Sequence, residues 1–184
     1  MQTSCIRSLR PNVTREEAIR AFLAPGPSLL FWKLRSGPLQ RIADAYIPFH
    51  LYQVRFHIAG AQRRHLFAQD AVHGWLDLFE FATPPGDADT VLVSSRNHPI
   101  AALAESRAME ILREKVLRLV FQRGFFKVRN PQVEIERLPG EIHLPYWLGF
   151  YGTPQNLRCR VMDAVRRRIE GAKASSLVEQ WLAA

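Results

Sequence analysis

Two aspartates stand at matching places in a short motif that occurs twice in this chain. Asp70 and Asp163 each begin an Asp-Ala-Val triplet. Two carboxylates that lie close together can share a proton and carry out general acid–base chemistry. Aspartate is also a common residue at the start of a turn, because its side chain accepts hydrogen bonds from nearby backbone N–H groups. We therefore predict that each carboxylate caps its own turn, and a shared site between them is the alternative.

Four arginines would share one face of the last predicted strand, residues 157–169, if that strand is extended throughout. They are Arg158, Arg160, Arg166 and Arg168. Guanidinium groups in a row can bind phosphates or an acidic partner. The favoured alternative is a solvated sheet face whose arginines pair with Glu134, Glu136 and Glu141 of the neighbouring strand. No aromatic residues interleave with these arginines, as a stacking platform for single-stranded nucleic acid would require.

Metal ligands and short catalytic motifs are not indicated by the spacing of residues. The six histidines and two cysteines include no Cys-x-x-Cys pair and no histidines at helical i, i+4 spacing. The chain also lacks a Gly-x-Ser-x-Gly elbow, a P-loop and a Gly-x-Gly-x-x-Gly turn. We therefore predict no metal and no cofactor. The possibility of an enzyme from a class without a short motif stays open.

The two triplets follow the same landmarks in the same order. A proline followed by an aromatic residue precedes the first triplet within residues 46–51 and the second within residues 143–148. Further upstream, Phe31–Arg35 and Phe125–Arg129 each begin with two aromatic residues and follow a stretch of helical character. Such landmarks indicate one structural unit used twice. The competing explanation is that alternating strands of any α+β protein look alike, and the shared prolines and triplets favour the repeat.

Two capping boxes and one long apolar stripe predict three helices. Thr14, with Glu17 three residues later, begins the first helix, which the following prolines end. A stripe of apolar residues at helical spacing predicts the second helix at 99–121. Ser176 and Glu179 form another capping box and predict a short C-terminal helix. Its predicted apolar face is Leu177, Val178, Trp181 and Leu182.

The strands are predicted from two-residue alternation of apolar side chains. The segment 46–58 is apolar on both faces and should be covered on both sides. Proline donates no ladder hydrogen bond, so Pro48 and Pro145 should begin a strand, lie at a bulge or lie on an edge. Gly74 supplies the positive φ that closes the first Asp-Ala-Val turn, whereas Arg167 stands at the matching position, so the second turn should be closed differently. Further strands are predicted at 29–35, 63–69, 75–81 and 125–136.

These elements predict an α+β protein made of two duplicated units, each a helix packed on an antiparallel β-sheet, plus a short C-terminal helix. The first unit spans residues 1–81 and the second spans 98–184. Residues 82–97 form a linker with prolines, a glycine and aspartates. Residues 90–93 could add a short strand within this linker. We expect the two units to pack as one compact body.

The arrangement resembles a tandem of PepSY-type units. Such a unit has a helix followed by antiparallel strands, with an Asp-Ala-x-x-Gly turn between the last two. Asp70-Ala71-Val72-His73-Gly74 matches that turn, whereas Asp163-Ala164-Val165 lacks the glycine. PepSY-like modules are generally non-catalytic regulatory or inhibitory domains that act on a partner protein. The resemblance therefore implies a protein-binding role, although many such modules are extracytoplasmic.

Composition narrows the class of protein. Of the 184 residues 47% are apolar, which suffices for a packed core and excludes wholesale disorder. No apolar run approaches the roughly 20 residues of a membrane-spanning helix. The N-terminus carries no secretory signal pattern and two cysteines make no disulfide framework, so we expect a cytoplasmic protein. The net charge of +8 is spread along the chain and is a weak indication of nucleic-acid binding.

Three hypotheses of function follow from these observations. The leading one is a non-catalytic binding or regulatory module that docks a protein or peptide partner, for instance at an open sheet edge. The second is a basic nucleic-acid-binding protein that uses the four arginines of residues 157–169. The third is an enzyme with a site between the two units. The sequence leaves the identity of the partner and the oligomeric state open.

Overall fold

The computed structural model describes residues 3–24, 37–58, 61–122, 132–153 and 156–184. Its strands are β1 (Ser4–Leu9), β2 (Leu39–Ile58), β3 (Ala61–Asp70), β4 (Phe79–Phe81), β5 (Thr90–Ser95), β6 (Gln132–Thr153), β7 (Asn156–Asp163) and β8 (Arg168–Ile169). Its helices are α1 (Arg15–Leu23), α2 (Glu105–Gln122) and α3 (Ala172–Ala183). None of the helices in this part of the chain is long and apolar enough to cross a membrane.

The described strands form one eight-stranded mixed sheet. Its main path runs β4-β3-β2-β6-β1-β5, and β7 pairs with both β6 and β8. β1 is antiparallel to β5 and parallel to β6, where Ser8 lies opposite His143. Most of the sequence separates β1 from β6. A parallel pair requires a long crossover connection of this kind.

This sheet overturns the predicted fold class. Two duplicated units, each a helix on its own antiparallel sheet, are not what the structure contains, because the strands join into a single mixed sheet. The prediction also missed β1 entirely and therefore missed the parallel pairing. Alternation of side chains reveals a strand but not its partner, and β1 is paired with residues far away in the sequence. The coarser expectation of a protein with both helices and strands holds.

Two long hairpins carry the repeated landmarks. In β2–β3, Phe49 lies opposite Asp70, and in β6–β7, Tyr146 lies opposite Asp163. Each proline thus precedes the first residue of its hairpin ladder, where a missing N–H removes no bond of that hairpin. The prediction that Pro48 and Pro145 begin a strand or lie on an edge is wrong, because both lie within the long inner strands β2 and β6. The third alternative, a bulge, stays a prediction.

The residues cluster into two compact units, which we name after their helices. The α1 unit comprises Met1–Ile47, Asp89–Pro99 and His143–Ala184, and the α2 unit comprises Pro48–Ala88 and Ile100–Ile142. In the α1 unit, Phe22 is fully buried, and the Tyr151 hydroxyl donates a hydrogen bond of 3.0 Å to its carbonyl oxygen. In the α2 unit, Leu112 and Val116 of α2 pack against Tyr52 and Val54 of β2. The predicted boundaries on either side of residues 82–97 stay a prediction.

The capping box predicted for the N-terminal helix is present, whereas the one predicted for the C-terminal helix is not. The capping box at Thr14 is confirmed, with Thr14 N–H donating to Glu17 Oε2 at 2.8 Å and Glu17 N–H donating to Thr14 Oγ1 at 3.3 Å. The C-terminal helix is confirmed, but the capping box predicted for it is wrong. α3 begins after Gly171, so Ser176 lies inside the helix, and Gly171 makes no side-chain cap. Of the predicted apolar face, Leu177 and Val178 are buried, whereas Leu182 is exposed.

The remaining strand predictions have different outcomes. The strand predicted at 63–69 is confirmed as part of β3, and the one at 90–93 is confirmed as part of β5. The strand predicted at 75–81 is limited to Phe79–Phe81. The segments 29–35 and 125–131, including the upstream aromatic landmarks, lie outside the described residues. The rest of the strand predicted at 125–136 is confirmed as part of β6.

Candidate functional site

The carboxylate of Asp70 is fully buried and serves its own turn. Its Oδ1 accepts hydrogen bonds from the N–H groups of His73 at 2.9 Å and Gly74 at 2.8 Å. Its Oδ2 accepts one from the N–H of Leu76 at 2.8 Å. The Ala71 N–H, next in the chain, donates to the Pro48 carbonyl oxygen at 2.8 Å, which links the turn to β2.

The carboxylate of Asp163, in the α1 unit, also serves its own turn but accepts from two backbone N–H groups and one side chain. Its Oδ1 accepts from the N–H groups of Val165 and Arg166, both at 2.8 Å, and its Oδ2 accepts from Arg166 Nε at 2.5 Å. The Ala164 N–H donates to the Pro145 carbonyl oxygen at 3.1 Å, as Ala71 does to Pro48 in the first turn. Both carboxylates are therefore engaged in local turn bonds, and a catalytic role for them has no geometric support.

The two turns are closed by the same backbone conformation, contrary to the prediction. Gly74 has a φ of 70° and Arg167 has a φ of 58°. Arginine adopts this left-handed conformation only when other interactions compensate for the backbone strain. The Arg167 guanidinium donates to the Asn12 carbonyl oxygen, and its Nη2 lies 4.0 Å from Glu17 Oε1. The side chain thus contributes contacts that a glycine lacks.

The four predicted arginines do not line one extended strand. β7 ends at Asp163 and β8 begins at Arg168, so the predicted strand 157–169 is interrupted by the turn. Arg158 is exposed on β7, whereas Arg160 is half-buried. Burial raises the pKa of Tyr151, and the neighbouring Arg160 offsets part of this shift.

The other two arginines are paired with acidic residues. Arg166 contacts Asp163, and Arg168 Nε donates to Glu170 Oε1 at 2.8 Å. The glutamates expected to pair with the arginine row have contacts with other residues of the sheet. Glu134 and Glu136 contact Arg55 at 3.7 and 3.0 Å. Glu141 lies 3.7 Å from His50. The arginine row as a ligand site stays a prediction.

A polar cluster links three segments of the α1 unit. Ser4 Oγ lies 2.6 Å from His98 Nε2, and the rings of His98 and His143 meet edge to face at 5.7 Å. Asn97 Nδ2 donates to Asp44 Oδ1 at 3.1 Å. A serine beside a histidine is half of a nucleophile–base pair. Catalysis by such a pair also needs a group that orients the histidine, and no hydrogen bond to the other ring nitrogen of His98 is present in the described part of the chain.

A shallow groove of about 610 Å³ lies in the α2 unit. Met109, Glu110, Arg113, Val133, Glu134 and Ile135 line it. Its charges are of both signs, and Glu134 is partly engaged by Arg55. Elsewhere among the described residues, no group of three or more His, Cys, Asp or Glu side chains is placed to hold a metal ion.

The outer edge of β5 is the remaining candidate. β5 is the last strand of the main sheet path, and among the described strands it pairs with β1 alone. Its six residues, Thr-Val-Leu-Val-Ser-Ser, include no charge and no proline. Leu92, near its middle, is 72% exposed. The sequence indicated a short strand here but gave no reason to treat it as an edge, because the position of a strand in a sheet depends on distant partners.

No protein-family model, no curated protein and no solved structure matches this chain. The resemblance to PepSY-type units is neither supported nor opposed by these comparisons and stays a prediction.

Proposed function

We propose that this protein is a non-catalytic binding module that takes up an extended segment of a partner protein along the outer edge of β5. The observation that carries the proposal is a six-residue end strand without charge or proline, in which Leu92 is 72% exposed. Strand addition of this kind is a general mode of peptide recognition.

The length and composition of β5 support this proposal. An end strand presents backbone N–H and C=O groups that can pair with another chain, so proteins usually shorten such strands or place charges and prolines on them. β4 has three residues and β8 has two, which limits pairing at those strands. β5 has six residues and none of the usual protective side chains. An edge of that length and composition is suited to binding.

The side chains of β5 suggest the chemistry of the partner. Alternate residues of a strand share a face, so Leu92 lies on one face, and Val91 and Val93 lie on the other. Main-chain hydrogen bonds would supply affinity, and side chains that cover these residues would supply specificity. The expected partner is an extended segment with an apolar residue opposite Leu92.

Selection of displayed random peptides of about ten residues on the immobilised protein tests this proposal. We expect enriched peptides with alternating apolar residues, whose binding is then measured by calorimetry. Leu92→Lys should weaken their binding by roughly tenfold or more, because a charge on an edge strand opposes pairing. Ile100→Lys is the matched control, since Ile100 is 82% exposed and lies outside β5.

Two results would contradict strand addition. One is the enrichment of no peptide, and the other is equal binding by the Leu92→Lys and Ile100→Lys variants. Salt-sensitive retention on nucleic acid that Arg158→Ala weakens would favour the nucleic-acid hypothesis instead.

A further inference from the structure

We propose that Arg167 anchors helix α1 to the hairpin β6–β7, and that α1 opens locally, as one unit, when this anchor is lost. The proposal is independent of strand addition at β5. It rests on a backbone conformation that arginine disfavours, on the contacts of the Arg167 side chain, and on a comparison with the equivalent turn of the α2 unit.

The two Asp-Ala-Val turns hold the approach to a helix through the same kind of backbone bond. The Asn12 N–H donates to the Ala164 carbonyl oxygen at 2.7 Å, and α1 begins three residues later at Arg15. In the α2 unit, the Ala102 N–H donates to the Ala71 carbonyl oxygen at 2.9 Å, and α2 also begins three residues later. Each turn is therefore an attachment point for the helix that packs on its hairpin.

Side chains contribute to this attachment in the α1 unit. In the α2 unit, a second backbone group, the Leu103 N–H, donates to the Ala71 carbonyl oxygen at 2.8 Å. In the α1 unit, Asn12 Nδ2 donates to the Val165 carbonyl oxygen at 2.9 Å, and the Arg167 guanidinium donates to the Asn12 carbonyl oxygen. The peptide groups on both sides of Asn12 are thus bound to the turn, one of them through Arg167.

The backbone of Arg167 indicates that its side chain has a role. Its φ of 58° lies in the left-handed region, where the α2 unit has Gly74 with a φ of 70°. A strained conformation persists only when the surrounding structure compensates for it. The guanidinium contacts the Asn12 carbonyl oxygen and lies 4.0 Å from Glu17 Oε1. These contacts, which glycine lacks, supply that compensation.

Helix α1 depends on such contacts because it is short. It has nine residues, whereas α2 has 18. Helices shorter than about 12–15 residues are marginal in water without tertiary packing. Near its C-terminal end, Phe22 is fully buried and its carbonyl oxygen accepts from the Tyr151 hydroxyl. Before its N-terminal end, Trp147 Nε1 donates to the Val13 carbonyl oxygen at 3.0 Å, and Arg167 binds the preceding residue. Loss of the Arg167 contacts should therefore favour local opening.

Amide hydrogen exchange of the full chain at increasing urea concentration tests whether α1 opens separately. The Ala18 N–H, which donates to the Thr14 carbonyl oxygen at 3.0 Å, represents the amides of α1. These amides should exchange faster, and with a weaker dependence on urea, than those of Leu112 and Val116 in α2. The reason is that local opening exposes less surface than global unfolding. The same opening free energy and the same urea dependence in both helices would overturn the proposal.

Substitutions at Arg167 test the anchor. Arg167→Ala should raise the exchange rates of the α1 amides by roughly tenfold or more, because it removes hydrogen bonds of a charged group and keeps the strained backbone. Arg167→Gly should raise them by a smaller factor, because glycine relieves the strain. Arg158→Ala is the matched control, since it removes an exposed arginine of β7, and it should leave these rates unchanged.

The direction of the change distinguishes an anchor from an arginine that is merely tolerated in the turn. If the guanidinium does not hold α1, glycine relieves the strain without losing an interaction, and the α1 amides exchange more slowly. Slower exchange in Arg167→Gly, or unchanged exchange in Arg167→Ala, therefore overturns the proposal. Circular dichroism establishes that each variant is folded. Peptide binding at β5 is tested separately at Leu92, so neither result decides the other.

Discussion

Gly74 stands where the backbone conformation disfavours a side chain and the space for one is tight. Its φ of 70° is in the left-handed region, and an added Cβ would lie 2.8 Å from Gln69 Nε2 and 3.1 Å from Ile111 Cδ1. Gln69 is buried, and its amide atoms have no hydrogen-bond partner among the described residues. The turn that Asp70 holds is therefore packed against the inside of the α2 unit.

Gly74→Ala should destabilise the protein by about 2–4 kcal/mol, since it combines backbone strain with a steric clash. Gly140→Ala is the matched control, because Gly140 also has a positive φ, of 92°, but nothing lies within 4 Å of the added Cβ. That variant should cost about 1 kcal/mol. Urea unfolding of both variants measures the difference, and equal costs would show that the contact with Gln69 and Ile111 is unimportant.

The two cysteines differ in environment and should differ in reactivity. Cys5 is exposed and Cys159 is buried. Burial, with a smaller effect of Glu179, raises the pKa of the Cys159 thiol to about 12. The thiolate is the reactive form of cysteine. We expect Ellman's reagent at pH 8 to titrate one thiol rapidly in the folded protein and the second only after unfolding. In Cys5→Ser the rapid reaction should disappear, and a rapid reaction that remains would contradict the placement of Cys159.

Helix α1 shows how a short sequence pattern becomes a secondary-structure element with a packed face. Its capping box satisfies backbone N–H groups at the first turn, and Phe22 then fills the core of the α1 unit. β6 approaches closely at this point, because an added Cβ on Gly149 would lie 3.1 Å from the Phe22 ring. The cap begins the helix, and burial of Phe22 decides where the helix lies.

The capping box of α1 should make the stability of the fold depend on pH in the acidic range. The Thr14 N–H bond to the carboxylate, with smaller effects of Arg167 and Arg20, lowers the pKa of Glu17 below its ordinary value of 4.5. A lowered folded-state pKa stabilises the fold above the unfolded-state value, and this contribution is lost as the pH falls through the folded-state value.

Glu17→Gln should therefore reduce stability at neutral pH, and the difference from the unmodified chain should shrink below pH 4.5. Thermal unfolding at about pH 3 to 7, a range that includes the ordinary carboxylate pKa values, would measure this difference in stability. Glu16→Gln removes a carboxylate from the same helical turn without touching the capping box. An identical pH profile for the two variants would mean that the capping box does not cause the acid dependence.

Across the whole sheet, the order of strands determines which surface is available for binding. β1 lies between β5 and β6, and its position makes β5 the end of the main path. The sequence prediction did not include β1, which is the described strand that pairs with β5 and joins it to the sheet. The tests at Leu92 therefore examine a property that arises from sheet order rather than from the residues of β5 alone.

Local patterns were sufficient for several parts of the fold. Thr14 and Glu17 predicted the start of α1, and the paired prolines and Asp-Ala-Val triplets marked two hairpins with equivalent turns. These features depend on interactions between residues a few positions apart, or across one hairpin. The exception is Arg167, where the sequence predicted a different closure, because tertiary contacts support a conformation that arginine alone disfavours.

Only the tertiary structure decided the sheet order, the parallel pairing of β1 with β6 and the position of β5 at the end of the path of described strands. Ser8 and His143 are neighbours in the sheet although most of the chain separates them in sequence. Two-residue periodicity specifies which side chains share a face, but it carries no information about which strand lies alongside. The Asp-Ala-Val turns were readable from the sequence because they are local. The candidate binding edge was not, because its exposure depends on every strand of the sheet.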